Sequence, residues 1–307
     1  MAGVSPLPYP AALTTALALA NSFRAQTSST SAFPQFTKQV ILDGITDRIT
    51  KPSDIDQAYT SLCGPSAFYY TLTRNRPDLF VRAAIDLYVT GKAKLGNLSI
   101  NPSQSMKSYS LPSNAAMNPV DWIILASLRD SQNSIFNYDE ISDEIGGITY
   151  PGDIISWYDK VGFKTTNNAS VTGTAGIENL LRAHETRRNH QSVSLLIDAK
   201  IIQASSYRKG QMAMFPNHWV VLSSDVFIDS MLLNGGLALQ LKTERENSQN
   251  EDVGDFDDIG KDFVHNVSFN VYSWGTTTQK LGGRTGTGSI DLETFLNNYF
   301  GFVSVAF

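Results

Sequence analysis

A single cysteine, Cys63, occurs in the 307 residues. This excludes an internal disulfide framework, so folding does not call for an oxidising compartment. Charge is scarce as well: 17% of residues are Asp, Glu, Lys or Arg, and the formal net charge is −5. No Lys/Arg stripe with interleaved aromatics runs through the chain, so nucleic acid is not expected as a partner. No apolar run reaches the roughly 20 residues of a membrane span. The segment Ala11–Ala20 has the length of a signal h-region, but it lacks a basic n-region because the first positive charge is Arg24. We therefore expect an N-terminal helix, no classical signal peptide, and a cytoplasmic location in the producing cell. Nothing in the sequence calls for a metal or an organic cofactor. Apolar side chains are plentiful, at 42%, and a chain this long can bury a substantial core.

The first half patterns as helices. A short helix is expected over 10–24, followed by a flexible connector through Ser28–Pro34, so that residues 1–36 form an arm ahead of a domain spanning 37–307. Val40, Ile41, Ile45 and Ile49 fall at helical spacing. Ser53-Asp-Ile-Asp resembles a capped helix start. Leu79, Phe80, Ala83, Ala84, Leu87 and Tyr88 form an i, i+3/i+4 stripe on a helix that ends at Gly91. Residues 92–113 read as irregular. Further helices are expected from Pro119, over Tyr138–Ile145, over Pro151–Val161 and over Thr174–His184.

The second half changes to strand patterns. Val193–Asp198, His218–Ser223, Leu237–Thr243, Val264–Trp274 and Phe302–Phe307 are β-branched, apolar or alternating. Glu244–Asp258 reads as an exposed acidic loop. Gly282–Ser289 reads as a mobile Gly-rich loop, because it lacks the Lys-Ser/Thr ending of a phosphate cradle. Leu292–Tyr299 is expected to be helical. Helices first and an antiparallel sheet second define an α+β class.

Chemistry concentrates around Gln57-Ala-Tyr-Thr-Ser-Leu-Cys63-Gly-Pro-Ser-Ala-Phe68. Pro65 suits a first helical turn, where its missing N–H would be unpaired anyway. Cys63 is thus expected at a helix N-terminus, where free N–H groups and the helix dipole favour a thiolate. Gln57, six residues upstream, is an uncharged donor of the kind that holds an oxyanion. The competing reading is a buried structural cysteine with an unrelated glutamine. A thiol nucleophile needs a base. His184 and His190 flank a polar stretch and are expected to be solvated, and His265 sits at a strand start. His218 opens the Trp-Val-Val-Leu strand, which offers a rigid mount with an accessible ring near neutral pKa.

Gln57, Cys63-Gly-Pro with its following helix, His218 at the head of an apolar strand, and Tyr272-Ser-Trp-Gly275 occur in an order that resembles the papain-like cysteine peptidases, in particular the bacterial Cys-Gly-Pro branches. The resemblance covers roughly residues 55–75 and 215–276. It implies a helical half and a sheet half with a cleft between them. It also implies hydrolysis of a peptide or amide bond through an acyl-thioester on Cys63, with His218 as base and acid and Gln57 as oxyanion donor. The third position of the family, an Asn, falls on Tyr272, with Asn270 and Asp225 as substitutes. The implied partners are a protein or peptide substrate and an inhibitor or immunity protein, in the manner of an exported or delivered toxin or effector. Glutamine deamidase, transglutaminase, peptidoglycan amidase and a catalytically degenerate binding domain are the alternatives.

Overall fold

A computed structural model describes every residue except 1–3, 28–29, 59, 113–115, 133–147, 204–205, 251–262 and 284–287. The expected helix over Tyr138–Ile145 and the centre of the Gly-rich loop lie outside the described residues. The fold is α+β. It divides into one unit of Met1–Thr165, Ser273–Thr276 and Val305–Phe307, and a second of Thr166–Tyr272 and Thr277–Ser304.

The first unit is mainly helical: α1 (Tyr9–Ala25), α2 (Lys38–Thr50), α3 (Cys63–Asn75), α4 (Pro77–Thr90), the hairpin β1 (Ala93–Leu95) and β2 (Leu98–Ile100), α5 (Gln104–Ser108), α6 (Pro119–Gln132) and α7 (Pro151–Val161). The stripe on α4 is buried throughout, and Gly91 stops the helix at φ 71°, a left-handed cap that glycine adopts without strain. Against α4 lies α1, whose inner face is Ala12, Ala16, Ala20 and Phe23. Small side chains let the two helices approach closely, and the Phe23 ring meets Tyr88 edge-on at 6.0 Å.

The segment expected to be a flexible connector is docked where it is described. Phe33 is fully buried, the Ala32 N–H donates to the Tyr88 carbonyl at 2.8 Å, and the Tyr88 hydroxyl donates to the Phe36 carbonyl at 3.1 Å. Residues 92–112 are also more regular than expected. Ala93, Leu95, Leu98 and Ile100 are buried and alternate with exposed Lys94 and Ser99. Gly96-Asn97 makes the turn, with Gly96 at φ 58° against the Val161 carbonyl.

The second unit holds most of a six-stranded sheet in the order β10-β9-β5-β4-β12-β3, the ends of β3, β9, β10 and β12 being counted with the first. Its strands are β3 (Lys164–Ala169), β4 (Ser192–Ile197), β5 (His218–Leu222), β9 (Asn270–Ser273), β10 (Thr276–Lys280) and β12 (Tyr299–Ala306). β5 lies between β4 and β9 and runs antiparallel to both. A smaller four-stranded sheet follows the order β11-β8-β6-β7, from β6 (Phe227–Ile228), β7 (Met231–Leu232), β8 (Asn266–Ser268) and β11 (Ser289–Asp291). Helices α8 (Ile177–Arg188), α9 (Gly235–Asn250) and α10 (Leu292–Leu296) complete the unit.

Two strand assignments change. Leu237–Thr243 is part of α9, not a strand. Its residues are strong helix formers, the Asn234 side chain accepts the Leu237 N–H at 3.1 Å, and the buried positions Ala238 and Leu241 repeat at helical period. The helix continues through Asn250, so the first part of the expected acidic loop is helical as well. The expected long strand over Val264–Trp274 breaks at Phe269, which sends β8 to the small sheet and β9 to the large one.

Candidate active site

Cys63 is the first residue of α3 and only 3% exposed. Gly64 explains itself sterically. A Cβ there would collide with Thr149 Oγ1, which accepts a 2.8 Å hydrogen bond from Arg129 Nη1. Thr149 is fully buried and cannot step aside. Gly64→Ala is therefore expected to lower unfolding free energy by about 1–3 kcal/mol, the usual size of overpacking, although alanine is the better helix former. Denaturant titration checks this, and a stabilised variant would contradict it.

Gln57 lies in a short irregular segment ahead of α3 and is 4% exposed. Its Nε2 donates to the Thr60 carbonyl at 3.1 Å, and Thr60 Oγ1 donates back to the Gln57 carbonyl at 2.6 Å. A carboxamide nitrogen has two donors. The second makes no hydrogen bond among the described residues. The segment is held from behind. Asp121 Oδ2 accepts the Asp56 N–H at 3.0 Å, and Asp56 Oδ1 accepts the Ala58 N–H at 2.8 Å. Ala58 sits at φ 51°, a conformation an alanine adopts only under such constraint. Gly275 also packs here: a Cβ on it would lie 3.0 Å from Asp56 Oδ2. The Trp274-Gly275 end of the Tyr-Ser-Trp-Gly motif thus reaches the residue beside Gln57, and both belong to the first unit. The capped helix start expected at Ser53 is instead one 3-10 turn, Pro52–Asp54.

His218 belongs to the second unit. It opens β5 opposite Ile197 of β4. The chain just ahead of it is pinned, since the Asn217 N–H donates to the Ile197 carbonyl at 3.1 Å and Asn217 Oδ1 accepts the Ala199 N–H at 2.7 Å. The ring is 4% exposed, where the sequence leads us to expect an accessible one. Burial alone pushes its imidazole down to about 3, so it rests neutral.

The register places Tyr272 and His218 on opposite faces of the sheet. Tyr272 pairs with Val221, and directly opposed residues share a face of the sheet. Side chains alternate along β5, so Val221 and Trp219 face one way and His218, Val220 and Leu222 the other. Tyr272 is therefore on the face His218 does not use, and Asn270, two residues back on β9, is there too. Asp225 lies past the far end of β5 and is engaged with Arg187 Nη1 at 2.8 Å.

The other histidines divide differently from expectation. His184 is not solvated. It lies on the inner face of α8, is 1% exposed, and its Nδ1 accepts the Val226 N–H at 3.3 Å. Burial lowers its pKa. His190 is exposed. His265 is clamped between two carboxylates, Nδ1 to Asp229 Oδ2 at 2.7 Å and Nε2 to Glu244 Oε2 at 2.8 Å. A neutral imidazole has one N–H, so only the cation satisfies both contacts. Burial lowers the pKa of His265, but the two carboxylates outweigh it and raise the pKa overall. Asp229 is lowered, its burial outweighed by His265 and the Asn266 N–H, and Glu244 is lowered by Gln240 and then His265.

The sign of the resulting pH dependence follows. A raised imidazole contributes stability that is complete below its unfolded value of 6.5 and lost as pH rises through the folded value. Buried His184 and His218 pull the other way. The comparison is therefore with His265→Gln: the melting temperature of the native chain should exceed that of the variant by more at about pH 6 than at about pH 8.5. An equal gap at both pH values would contradict the clamp.

Among the described residues no group of three or more His, Cys, Asp or Glu is arranged to hold a metal ion. No described helix is long and apolar enough to cross a membrane. The chain matches no protein-family model, no curated protein and no solved structure. The class that stands at this point is α+β, with a thiol at a helix start, a backbone-anchored glutamine beside the Trp-Gly turn, and a neutral buried imidazole at a strand head.

Proposed function

We propose that the chain is a papain-like cysteine peptidase that hydrolyses peptide or amide bonds through an acyl-thioester on Cys63. The observation that carries the reading is the Gln57–Cys63 segment: a thiol at the first position of a 13-residue helix, and six residues before it a carboxamide fixed by Thr60 with one N–H left over. Cys63 attacks the carbonyl carbon while its proton passes to neutral His218. Gln57 Nε2 and the Cys63 N–H stabilise the oxyanion. The proton returns from His218 to the leaving amine, and water hydrolyses the thioester in the reverse sequence. A delivered effector or toxin, restrained by an inhibitor protein, is the biological role proposed with it.

A degenerate papain-like binding domain is the second reading, and one observation favours it: the strand register puts Tyr272 and Asn270 on the sheet face opposite to that of His218. The rate of Cys63 alkylation by a haloacetamide as a function of pH separates the two. In a catalytic pair the wild-type profile extends to lower pH than that of His218→Ala, because the imidazole promotes loss of the thiol proton. Superimposable profiles would contradict the pairing and leave the binding-domain reading.

A further inference from the structure

A buried ion pair stands directly behind the Gln57 segment. Arg48 on α2 donates from Nε to Asp121 Oδ1 at 3.1 Å and from Nη2 to Asp121 Oδ2 at 2.6 Å, and Asp121 on α6 is 0% exposed. Such a pair is a weak source of stability, because desolvation offsets most of its attraction and apolar residues of similar volume often do as well. Its third hydrogen bond is more informative. Asp121 Oδ2 also accepts the Asp56 N–H, one residue before Gln57.

From there the constraint passes along the chain in three short steps. Asp56 Oδ1 takes the Ala58 N–H and helps hold Ala58 in its left-handed conformation. Those two anchors bracket residue 57 on both sides. Thr60 then fixes the Gln57 carbonyl and one of its amide hydrogens. The backbone on both sides of Gln57 is thereby fixed, and its carboxamide is held by Thr60. All these residues belong to the first unit.

We propose that Asp121, held by Arg48, is a positioning residue that acts through the Asp56 N–H to set the direction of the Gln57 donor. The proposal rests on the hydrolase reading, in which Gln57 serves the oxyanion.

Two variants test it. Asp121→Asn removes the charge but keeps the shape. The double variant Arg48→Met/Asp121→Leu replaces the pair with apolar groups and leaves the Asp56 N–H without its acceptor, while a packed core is retained. Each is made in the wild-type and Gln57→Ala backgrounds. Turnover, KM, Cys63 alkylation and backbone amide exchange at Asp56 and Ala58 are measured. In the wild-type background kcat of the double variant is expected to fall roughly ten- to a hundredfold, the range caused by small misplacements of a catalytic group, and that of Asp121→Asn, whose carbonyl oxygen can still accept the Asp56 N–H, by less. KM and alkylation should change little, and exchange at both amides should rise. In the Gln57→Ala background neither variant should lower kcat further, because the residue they position is gone.

Several results would overturn the proposal. One is unchanged kcat or unchanged amide exchange in the double variant. Another is an effect that adds in full to that of Gln57→Ala. Failure of both variants to fold would mark the pair as purely structural. Each of these leaves the hydrolase reading intact. A wild-type chain with no Cys63-dependent amide chemistry would instead remove that reading, and the positioning role with it.

Discussion

Cys63→Ala is expected to abolish turnover and leave the fold in place. The thiol supplies the protein's nucleophile in the proposed reaction, and no other cysteine exists to replace it. Its loss at a 3% exposed position removes one buried sulfur, which costs about 1 kcal/mol of packing and not the structure. Circular dichroism and a thermal melt establish that the variant is folded. A folded variant that retained hydrolysis would mean that Cys63 is the structural cysteine of the competing reading.

The second large effect is at Gln57, and it differs in kind. An oxyanion donor acts only when charge develops on the substrate carbonyl, so Gln57→Ala should lower kcat by roughly 10²–10³. Alkylation of Cys63 by a small haloacetamide forms no tetrahedral oxyanion and should proceed almost unchanged. The lost hydrogen bond to the Thr60 carbonyl is worth about 1 kcal/mol, which sets the expected stability change. Gln57→Glu should be at least as damaging, since a carboxylate repels both oxyanion and thiolate. A parallel fall in stability, alkylation and turnover would mark Gln57 as structural.

Local features of this arrangement were legible in the sequence. Gly64-Pro65 announces the start of α3 because proline suits the first turn. The α4 stripe and its Gly91 cap follow from helical periodicity and left-handed stereochemistry. His218 at the head of β5 follows from the β-branched run behind it. These signals act within one turn or one strand.

The parts that were not legible depend on partners distant in the chain. Arg48 and Asp121 are 73 residues apart, and neither carries a local mark of pairing. Tyr272 stands where a family motif would put the third residue, yet the pairing of β9 with β5 turns it to the other face. No local pattern encodes that register. Leu237–Leu241 alternates as a strand should, but the Asn234 cap and the helix-forming composition decide otherwise. His184 has polar sequence neighbours that point to solvent, while the face of α8 that carries it is packed inward. The Gly96-Asn97 turn was a readable hairpin signal between two short alternating runs.

The central claim, amide-bond chemistry at Cys63, is tested most directly by incubating the wild-type chain and Cys63→Ala separately with a whole proteome and comparing the products by mass spectrometry. New protein N-termini produced by the wild type and absent with Cys63→Ala are the predicted result. Mass gains at glutamine side chains in place of new N-termini would move the reading to a deamidase. Identical peptide populations from the two proteins, with neither kind of product, would contradict the account.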